Sequence, residues 1–338
     1  MPRGRPFRPL PIVLGLALLP LAGCTGLAEA GDGGRTLVLS LNQTESHPSY
    51  MALTAFGDRL AERTDGRWDV DVYANETLGA QQEVIQLVGD GAVDMAVASG
   101  AQLENLNDEF QTLNLPTVFD DIDHQLDVIN DDDIVGELFT SLEDDENLTV
   151  LGGLTQGARN VYTDSGPVER PEDLNGMKIR VQESDIYIDM ITAMGGSATP
   201  MAYGEVYTAL QSGVLDGAEN NEVSYVSQKH NEVAKHMALT EHLIGLDYVV
   251  VNTDVLDGMS PEDRAVFEEE WTAASEHHAG LWKTETEEAI TAAEESGTVF
   301  NDVDEAAFDE ALAPVVDKYL QTDAARELYD EVRKAAEQ

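Results

Sequence analysis

Cysteine is nearly absent from this 338-residue sequence, in which Cys24 is the only one. A single thiol cannot form an intrachain disulfide, and it cannot supply the several thiolates of a structural zinc site. Cys24 directly follows an apolar amino-terminal run, so the remaining chain contains no cysteine nucleophile. Disulfide scaffolds, thiolate zinc sites and cysteine-dependent enzymes are therefore excluded for the mature chain.

Basic side chains are also scarce. The sequence has 19 Lys and Arg against 65 Asp and Glu, which gives a net charge of −46. Nucleic-acid binding depends on cations that neutralise phosphates, so nucleic acid is excluded as a partner. The acids are dispersed along the chain, which favours a solvated surface suited to salty surroundings, where about 1 M salt screens charges within roughly 3 Å. An ordinary acidic secreted protein is the alternative.

Motifs for several chemistries are missing too. The sequence contains no HExxH, GxSxG, GxxxxGK[ST] or GxGxxG, and its seven histidines do not occur at metal-ligand spacing. The acidic stretches DDIDH and NDDDI lack the ordered Asp, Gly and terminal Glu of a calcium loop. We therefore expect no bound metal and no cofactor, and we interpret these stretches as helix starts and solvated faces.

The amino terminus has the pattern of an export signal. Arginines precede the apolar run PIVLGLALLPLAGC, which is too short to span a bilayer as a mature helix. This pattern predicts a signal peptide over residues 1–23. The run ends in LAGC, which resembles the lipobox of bacterial lipoproteins and implies a lipidated Cys24 as membrane anchor on the outer face of the cytoplasmic membrane. Residues 24–35 would then form a flexible tether. An unmodified cysteine in the signal region is the alternative.

The rest of the chain alternates strand and helix patterns, as expected for an α/β fold. The stretches TLVLSLN and RWDVDVYAN predict strands on either side of a helix in SYMALTAFGDRLAERTDG. The alternation continues through NLTVLGG, ARNVYT, MKIRV and SATPM to the strand LDYVVVN. From Ser260 onward helical stretches dominate, with Ser260 as the N-cap of a long helix and Pro261 in its first turn.

One helix-turn-strand pattern occurs twice. Residues 83–98, EVIQLVGDGAVDMAVA, align without a gap on residues 205–220, EVYTALQSGVLDGAEN. This match favours two lobes of similar construction. Because ligands of open α/β sheets bind beyond the carboxyl ends of the strands, we expect Ser99 and the amides of Asn220 and Asn221 on opposing walls of one cleft.

Two arginines stand out because the chain has so few bases. Arg180 lies between Ile179 and Val181 in the apolar strand KIRV, and Arg159 lies at the start of the strand ARNVYT. A guanidinium in a strand can clamp a ligand carboxylate with two parallel hydrogen bonds. It can equally form a structural ion pair with one of the many acids, and the sequence leaves both readings open.

A long stretch of the second half carries a family resemblance. The run LNGMKIRVQESDIYIDMITAMGGSATPMAYGEVYTALQSGVLDGAENN closely resembles the extracytoplasmic solute receptors of tripartite ATP-independent periplasmic (TRAP) transporters, the DctP family. The resemblance extends over nearly the whole mature chain and includes LNLPTVF and LTEHLIGLDYVVVN. It implies a two-lobed α/β fold like that of periplasmic binding proteins, with a central ligand cleft and long C-terminal helices.

The same resemblance implies an architecture and a set of ligand contacts. Lobe 1 would comprise residues 36–156 with 247–290, lobe 2 residues 157–246, and residues 291–338 would form C-terminal helices that pack on the lobes. Arg180 would bind the ligand carboxylate, and the other implied contacts are Arg159, Asn220, Asn42, Gln43, Glu45, His47, Ser99, Gln182 and Glu183. No catalytic residue is implied.

The expected function is capture of a small organic acid and its delivery to the permease subunits of a TRAP transporter. The stretch TPMAYGEVYTALQSGVLDGAENN looks most like the branch of the family that takes uronates and aldonates. A receptor for C4-dicarboxylates, other oxo acids or ectoine is the first alternative. A secreted hydrolase of carbohydrate acids is a more distant one, since it would need a pair of cleft carboxylates that no motif singles out. A calcium-dependent structural protein is the third.

Overall fold

One mixed sheet of nine strands organises the protein in the computed structural model, which describes residues 34–336. The strand order is β2-β1-β3-β8-β4-β7-β5-β6, and β9 pairs with β8. The strands are β1 Arg35–Ser40, β2 Trp68–Tyr73, β3 Met95–Ser99, β4 Leu148–Thr163, β5 Lys178–Val181, β6 Ser197–Pro200, β7 Gly217–Asn220, β8 His236–Asn252 and β9 Val299–Asn301.

Fourteen α-helices are found in the same range of residues. They are α1 Pro48–Arg63, α2 Gln81–Gly89, α3 Gly100–Leu103, α4 Ile122–Ile129, α5 Asp132–Thr140, α6 Glu143–Glu146, α7 Asp185–Ala193, α8 Val206–Gln211, α9 Glu222–Ser227, α10 His230–Val233, α11 Thr253–Asp257, α12 Pro261–Glu295, α13 Glu305–Tyr319 and α14 Asp323–Ala335. Short 3-10 turns span Asp108–Asn114, Pro171–Leu174 and Tyr203–Glu205. None of the described helices combines the length and the apolar character that crossing a membrane requires.

Two long antiparallel strands, β4 and β8, pair along most of their length and connect the two halves of the sheet. The sequence predicts two separate strands, NLTVLGG and ARNVYT, and this division is wrong because both belong to β4. The glycines between them suggest a turn, but they serve a close helix contact instead. Gly157 has φ +58°, and a Cβ there would lie 2.7 Å from Nε1 of Trp282 on α12.

Helix α12 begins as its sequence predicts. The side chain of Ser260 accepts a hydrogen bond from the backbone N–H of Asp263, and Pro261 opens the helix. An acidic residue on α12 also holds α1, because Arg59 Nε lies 2.6 Å and Arg63 Nη1 2.9 Å from the buried carboxylate of Glu270.

The C-terminal helices contact both halves of the chain. Helix α13 packs on α7, where Lys318 and Tyr319 bind the carboxylate of Asp189, and α14 packs on α4 and α5. Arg333 Nη1 of α14 donates to Asp120 Oδ1 at 2.6 Å. Helix α12 runs five residues past position 290, so the predicted lobe boundary falls inside a helix, and the lobe limits stay a prediction.

The repeated helix-turn-strand pattern is present in both halves. Gly91 and Gly213 follow the two helices with φ +71° and +69°, a region that favours glycine. Asp94 Oδ2 accepts from Val38 N at 2.8 Å, and Asp216 Oδ2 accepts from Lys178 N at 2.7 Å. Each aspartate lies just before its own strand and joins the amino end of that strand to the neighbouring strand in the same way.

The left-handed turn gives a stability prediction. Gly213→Ala should lower the free energy of unfolding by about 1 kcal/mol, since a Cβ is strained at this φ although no atom lies within 4 Å of it. Gly280→Ala is the matched control, because Gly280 is exposed inside α12, where alanine should stabilise by about 0.5–1 kcal/mol. Urea unfolding of both variants measures the difference, and a Gly213→Ala protein as stable as the parent would contradict the assignment.

Candidate functional site

A polar cavity lies at the carboxyl ends of the central strands, between residues from both halves of the chain. The space between its walls, together with the open solvent at its mouth, amounts to about 540 Å³. The lining residues are Asn42, Gln43, Glu76, Ala80, Gln81, Gln82, Ser99, Gln102, Gln156, Arg159, Arg180, Gln182, Glu183, Met201, Ala202, Tyr203, Asn220 and Asp247.

Arg180 is a buried guanidinium that has no carboxylate partner among residues 34–336. Strand β5 directs it into the cavity, where Nε and Nη2 donate to the carbonyl oxygen of Met201 at 3.0 and 2.7 Å. Its Cζ lies 5.7 Å from the ring centre of Tyr203. Within residues 34–336 no acid forms an ion pair with it, and burial lowers the pKa of Arg180, although Glu219 opposes that shift. Within the described residues Nη1 therefore makes no hydrogen bond, and no ion pair balances the charge of the guanidinium.

Arg159, in contrast, forms an ion pair with Glu219. Its Nε and Nη2 lie 2.6 and 2.9 Å from the two carboxylate oxygens of Glu219, and both side chains are buried. Burial alone would raise the pKa of Glu219, but Arg159 and the nearby His242 lower it to about 2. The sequence left two interpretations open for each arginine. Arg159 therefore fits the structural ion pair, whereas Arg180 forms no ion pair within residues 34–336.

Asn220 ends β7 and is oriented by Arg159. Its Oδ1 accepts from Arg159 Nη1 at 3.1 Å and from the backbone N–H of Asn221 at 2.9 Å. This fixes the amide with its NH₂ group toward Tyr203, whose hydroxyl lies 3.5 Å from Nδ2. Asn221 is turned away and caps α9 by accepting from Ser224 N at 2.7 Å.

Several other predicted contacts also line the cavity. Asn42 and Gln43 follow β1, and their side-chain oxygens are buried without a donor among the described residues. Ser99 ends β3, and its Oγ is likewise buried and unpartnered within residues 34–336. Gln182 and Glu183 directly follow β5, two and three residues after Arg180.

The structure does not bring Glu45 and His47 into the cavity. The chain turns away after Gln43 to start α1, which leaves Glu45 exposed. His47 is buried as the N-cap of α1, where Nδ1 accepts from Ser49 N at 3.2 Å and the ring lies 5.7 Å from that of Trp282. Burial lowers the pKa of His47 well below its usual range, so the imidazole is neutral and packs against Trp282.

Three charged or aromatic residues of the cavity are not among the contacts predicted from the sequence. Asp247 lies inside the apolar stretch LDYVVVN, so it shows the same signal, a charge within a buried strand, that singled out Arg180. Tyr203 comes from a 3-10 turn after β6, and only its distance from Arg180 in space identifies it. Glu76 follows β2 in a loop rich in polar residues, where composition gives no signal.

Hydrogen bonds join the two halves of the chain around this cavity. Glu76 Oε2 accepts from Gly204 N at 3.2 Å, and Asn105 Nδ2 donates to Glu183 O at 3.1 Å. Beside them the buried Glu104 accepts from the hydroxyl of Ser184, the N-cap of α7. Burial raises the pKa of Glu104 to about 7, against the effect of its hydrogen bonds. The conformation described is therefore one in which the cavity walls are held together.

Metal ligation receives no support from side-chain placement. Across residues 34–336 there is no group of three or more His, Cys, Asp or Glu side chains placed to hold a metal ion.

Comparison with known proteins gives consistent matches. Residues 39–323 match the family described as bacterial extracellular solute-binding protein, family 7. A solute-binding protein of Chromohalobacter salexigens is 37% identical over 277 residues, which are 82% of each chain.

Solved structures match over most of the chain as well. A TRAP periplasmic solute-binding protein of Anaerococcus prevotii with bound D-glucuronate has a TM-score of 0.87 and 37% identity, over 89% of this chain and 98% of that one. A TRAP periplasmic solute-binding protein of Bradyrhizobium in complex with D-galacturonate has a TM-score of 0.85 and 32% identity, over 89% of this chain and 100% of that one.

The buried ion pair of the site gives a pH-dependent prediction. Glu219→Gln leaves Arg159 buried without a counter-charge and should lower the free energy of unfolding by about 3–5 kcal/mol at pH 7. A carboxyl whose pKa falls from 4.5 to about 2 on folding stabilises the protein above pH 4.5 and loses this effect as pH falls toward 2. The difference between parent and variant should therefore shrink in acid.

Urea unfolding at several pH values between 7 and 3 measures this difference. Glu268→Gln is the control, because Glu268 is an exposed member of an i,i+4 pair with Arg264 and should contribute about 0.5 kcal/mol or less. A destabilisation of Glu219→Gln that is the same at every pH would contradict the assignment.

Proposed function

Because this chain belongs to the bacterial extracellular solute-binding proteins of family 7, and is thus a solute receptor of a TRAP transporter, we propose that its ligand is a uronate such as D-glucuronate or D-galacturonate. The receptor captures the sugar acid outside the cytoplasm and delivers it to the permease subunits. The observation that carries this proposal is Arg180, the buried cavity cation that lacks a carboxylate partner within residues 34–336.

A ligand carboxylate supplies the counter-charge that Arg180 lacks. Burying an isolated cation is costly, and a charge-assisted hydrogen bond to a carboxylate removes most of that cost. Arg159 cannot serve in the same way because Glu219 already balances it. The cavity therefore offers one arginine whose charge a ligand carboxylate can balance, which fits a monocarboxylic acid.

The remaining cavity surface suits a hydroxylated ligand. Amide and hydroxyl groups of Asn42, Gln43, Ser99, Gln182 and Asn220 can each donate to or accept from sugar hydroxyls. Several of these atoms have no partner in the described chain, so a ligand rich in hydroxyls satisfies them. The two solved relatives described above, with D-glucuronate and D-galacturonate, support the same ligand class.

The proposed mechanism is capture without covalent chemistry. The ligand enters between the two lobes, Arg180 fixes its carboxylate, and closure brings contacts from both walls onto it. A ligand drives closure only to the extent that it binds the closed form more tightly. The hydrogen bonds from Gly204 N to Glu76 and from Asn105 to Glu183 O belong to this closed arrangement.

A ligand screen tests the proposal. D-glucuronate or D-galacturonate at about a thousand times its Kd should raise the free energy of unfolding by about 4 kcal/mol, seen as a shift of Tm. Succinate, ectoine and neutral D-glucose should give much smaller shifts, because they lack either the carboxylate or the hydroxyls. The largest shift with succinate or ectoine would contradict a uronate receptor.

A matched pair of variants separates binding from stability within the same experiment. Arg180→Met should abolish uronate binding in calorimetry while changing the free energy of unfolding by about 1 kcal/mol or less, because no ion pair is broken. Arg159→Met should lower that free energy by about 3–5 kcal/mol, because Glu219 is left buried alone. Unchanged uronate affinity in Arg180→Met would remove Arg180 from the site.

We further propose that the protein is exported and anchored through a lipid on Cys24, which lies outside the described residues together with the signal peptide 1–23 and most of the tether 24–35. Export agrees with an extracytoplasmic family. In a bacterium that processes lipoproteins, the protein should fractionate with membranes, and Cys24→Ser should release it to the soluble extracytoplasmic fraction with unchanged uronate affinity. The same distribution for both proteins would rule out the anchor.

A further inference from the structure

Asp247 is a buried acid of the cavity that receives no hydrogen bond in the described chain. It lies in β8, it is 5% exposed, and its side chain lines the cavity. Burial raises the pKa of Asp247 to about 7, while Arg159 opposes the shift. A buried carboxylate normally accepts several hydrogen bonds, so this one has unused acceptor capacity that faces the ligand space.

Ser99 lies directly opposite Asp247 in the sheet. The two residues are paired in the antiparallel register of β3 and β8, which places their side chains on one face as close neighbours. The Oγ of Ser99 is buried and lacks a partner in residues 34–336. Two unpaired polar side chains from neighbouring strands thus face one part of the cavity.

Arg159 does not neutralise Asp247 by direct contact. Four of its five N–H donors bind the carboxylate of Glu219, the backbone carbonyl of Glu219 and Asn220 Oδ1, and none binds Asp247. Its charge is already balanced by Glu219, so Asp247 presents negative charge to the ligand once ionised. The other acids on the cavity wall, Glu76 and Glu183, add to the negative potential of this region.

We propose, given a sugar-acid ligand as above, that Asp247 and Ser99 form a hydroxyl-recognising pair that makes the site select a hydroxylated monocarboxylate over the aldarate of the same carbon skeleton. Asp247 accepts from ligand hydroxyls, and Ser99 donates to or accepts from an adjacent one.

The chemistry of the two ligand classes gives the discrimination. A uronate presents only hydroxyl and ring oxygen atoms away from its carboxylate, and each hydroxyl can donate to Asp247 in a charge-assisted hydrogen bond. The aldarate carries a second carboxylate, which cannot donate when ionised and is repelled by a like charge in a water-poor cavity. The carboxylate of Asp247 therefore strengthens binding of the uronate and weakens binding of the aldarate.

Calorimetry at pH 8.5, above the pKa of Asp247, tests this pair with D-glucuronate and D-glucarate as probes. The parent protein should bind glucuronate at least a hundredfold more tightly than glucarate. Asp247→Asn should weaken glucuronate binding at least tenfold and strengthen glucarate binding or leave it unchanged, so that the ratio of the two Kd values narrows at least tenfold. Asp257→Asn, the loss of an exposed acid at the end of α11, is the matched control and should keep the parent ratio.

The outcomes separate this inference from the proposed function. If the parent binds glucuronate and Asp247→Asn leaves the ratio of the two Kd values unchanged, the hydroxyl-recognising pair alone would be overturned. A parent that binds neither sugar acid would overturn the uronate function and this pair with it. Tighter binding of an amino sugar or other zwitterion than of glucuronate would also overturn the pair, since Asp247 would then serve an ammonium group.

Ser99→Ala keeps the inference testable if Asp247→Asn does not fold. This variant removes the hydroxyl and leaves the charge, so glucuronate affinity should fall about threefold to tenfold while glucarate remains rejected. Equal loss of both affinities in Ser99→Ala would indicate a general packing defect and would count against the pair.

Discussion

The ion pair between Arg159 and Glu219 determines what the rest of the site can do. Two buried arginines share one cavity wall region, and a single buried glutamate balances one of them. Arg159 is thereby held as a rigid support that fixes the amide of Asn220, while Arg180 keeps its charge available. If Glu219 were paired with Arg180 instead, Arg159 would carry the unbalanced charge, because both arginines line the cavity. The place in the cavity at which a ligand carboxylate can be bound therefore depends on which arginine the protein pairs internally.

Much of this arrangement was predictable from the sequence. The repeated helix-turn-strand pattern placed Ser99 and Asn220 at the carboxyl ends of strands from the two halves, and both line the cavity. The rarity of bases made Arg159 and Arg180 conspicuous, because a charge in an apolar strand needs a partner or a ligand. The long α12 and its Ser260 cap followed from local chemistry that acts within a few residues.

The remaining features depend on contacts between distant parts of the chain. The sequence could not decide which arginine is paired, since Glu219 is one acid among many. The prediction divided β4 into two strands because glycine is typical of turns, whereas these glycines allow close contact with the tryptophans of α12. It placed His47 among ligand contacts on resemblance alone, whereas the start of α1 turns that ring against Trp282. Asp247 carried the same signal as Arg180, yet in an acid-rich chain one more acid is not conspicuous.

The pairing of β4 with β8 is irregular where it passes the cavity. Register shifts fall between Thr155 and Ala158 and again between Arg159 and Val161, so the cavity residues Gln156 and Arg159 belong to the bulged segments. Bulges interrupt ladder hydrogen bonds and bend a strand locally. If the receptor closes as proposed above, these bulges are the places where β4 and β8 can bend most easily. A ligand bound in the cavity would then stiffen the same segment that has to move.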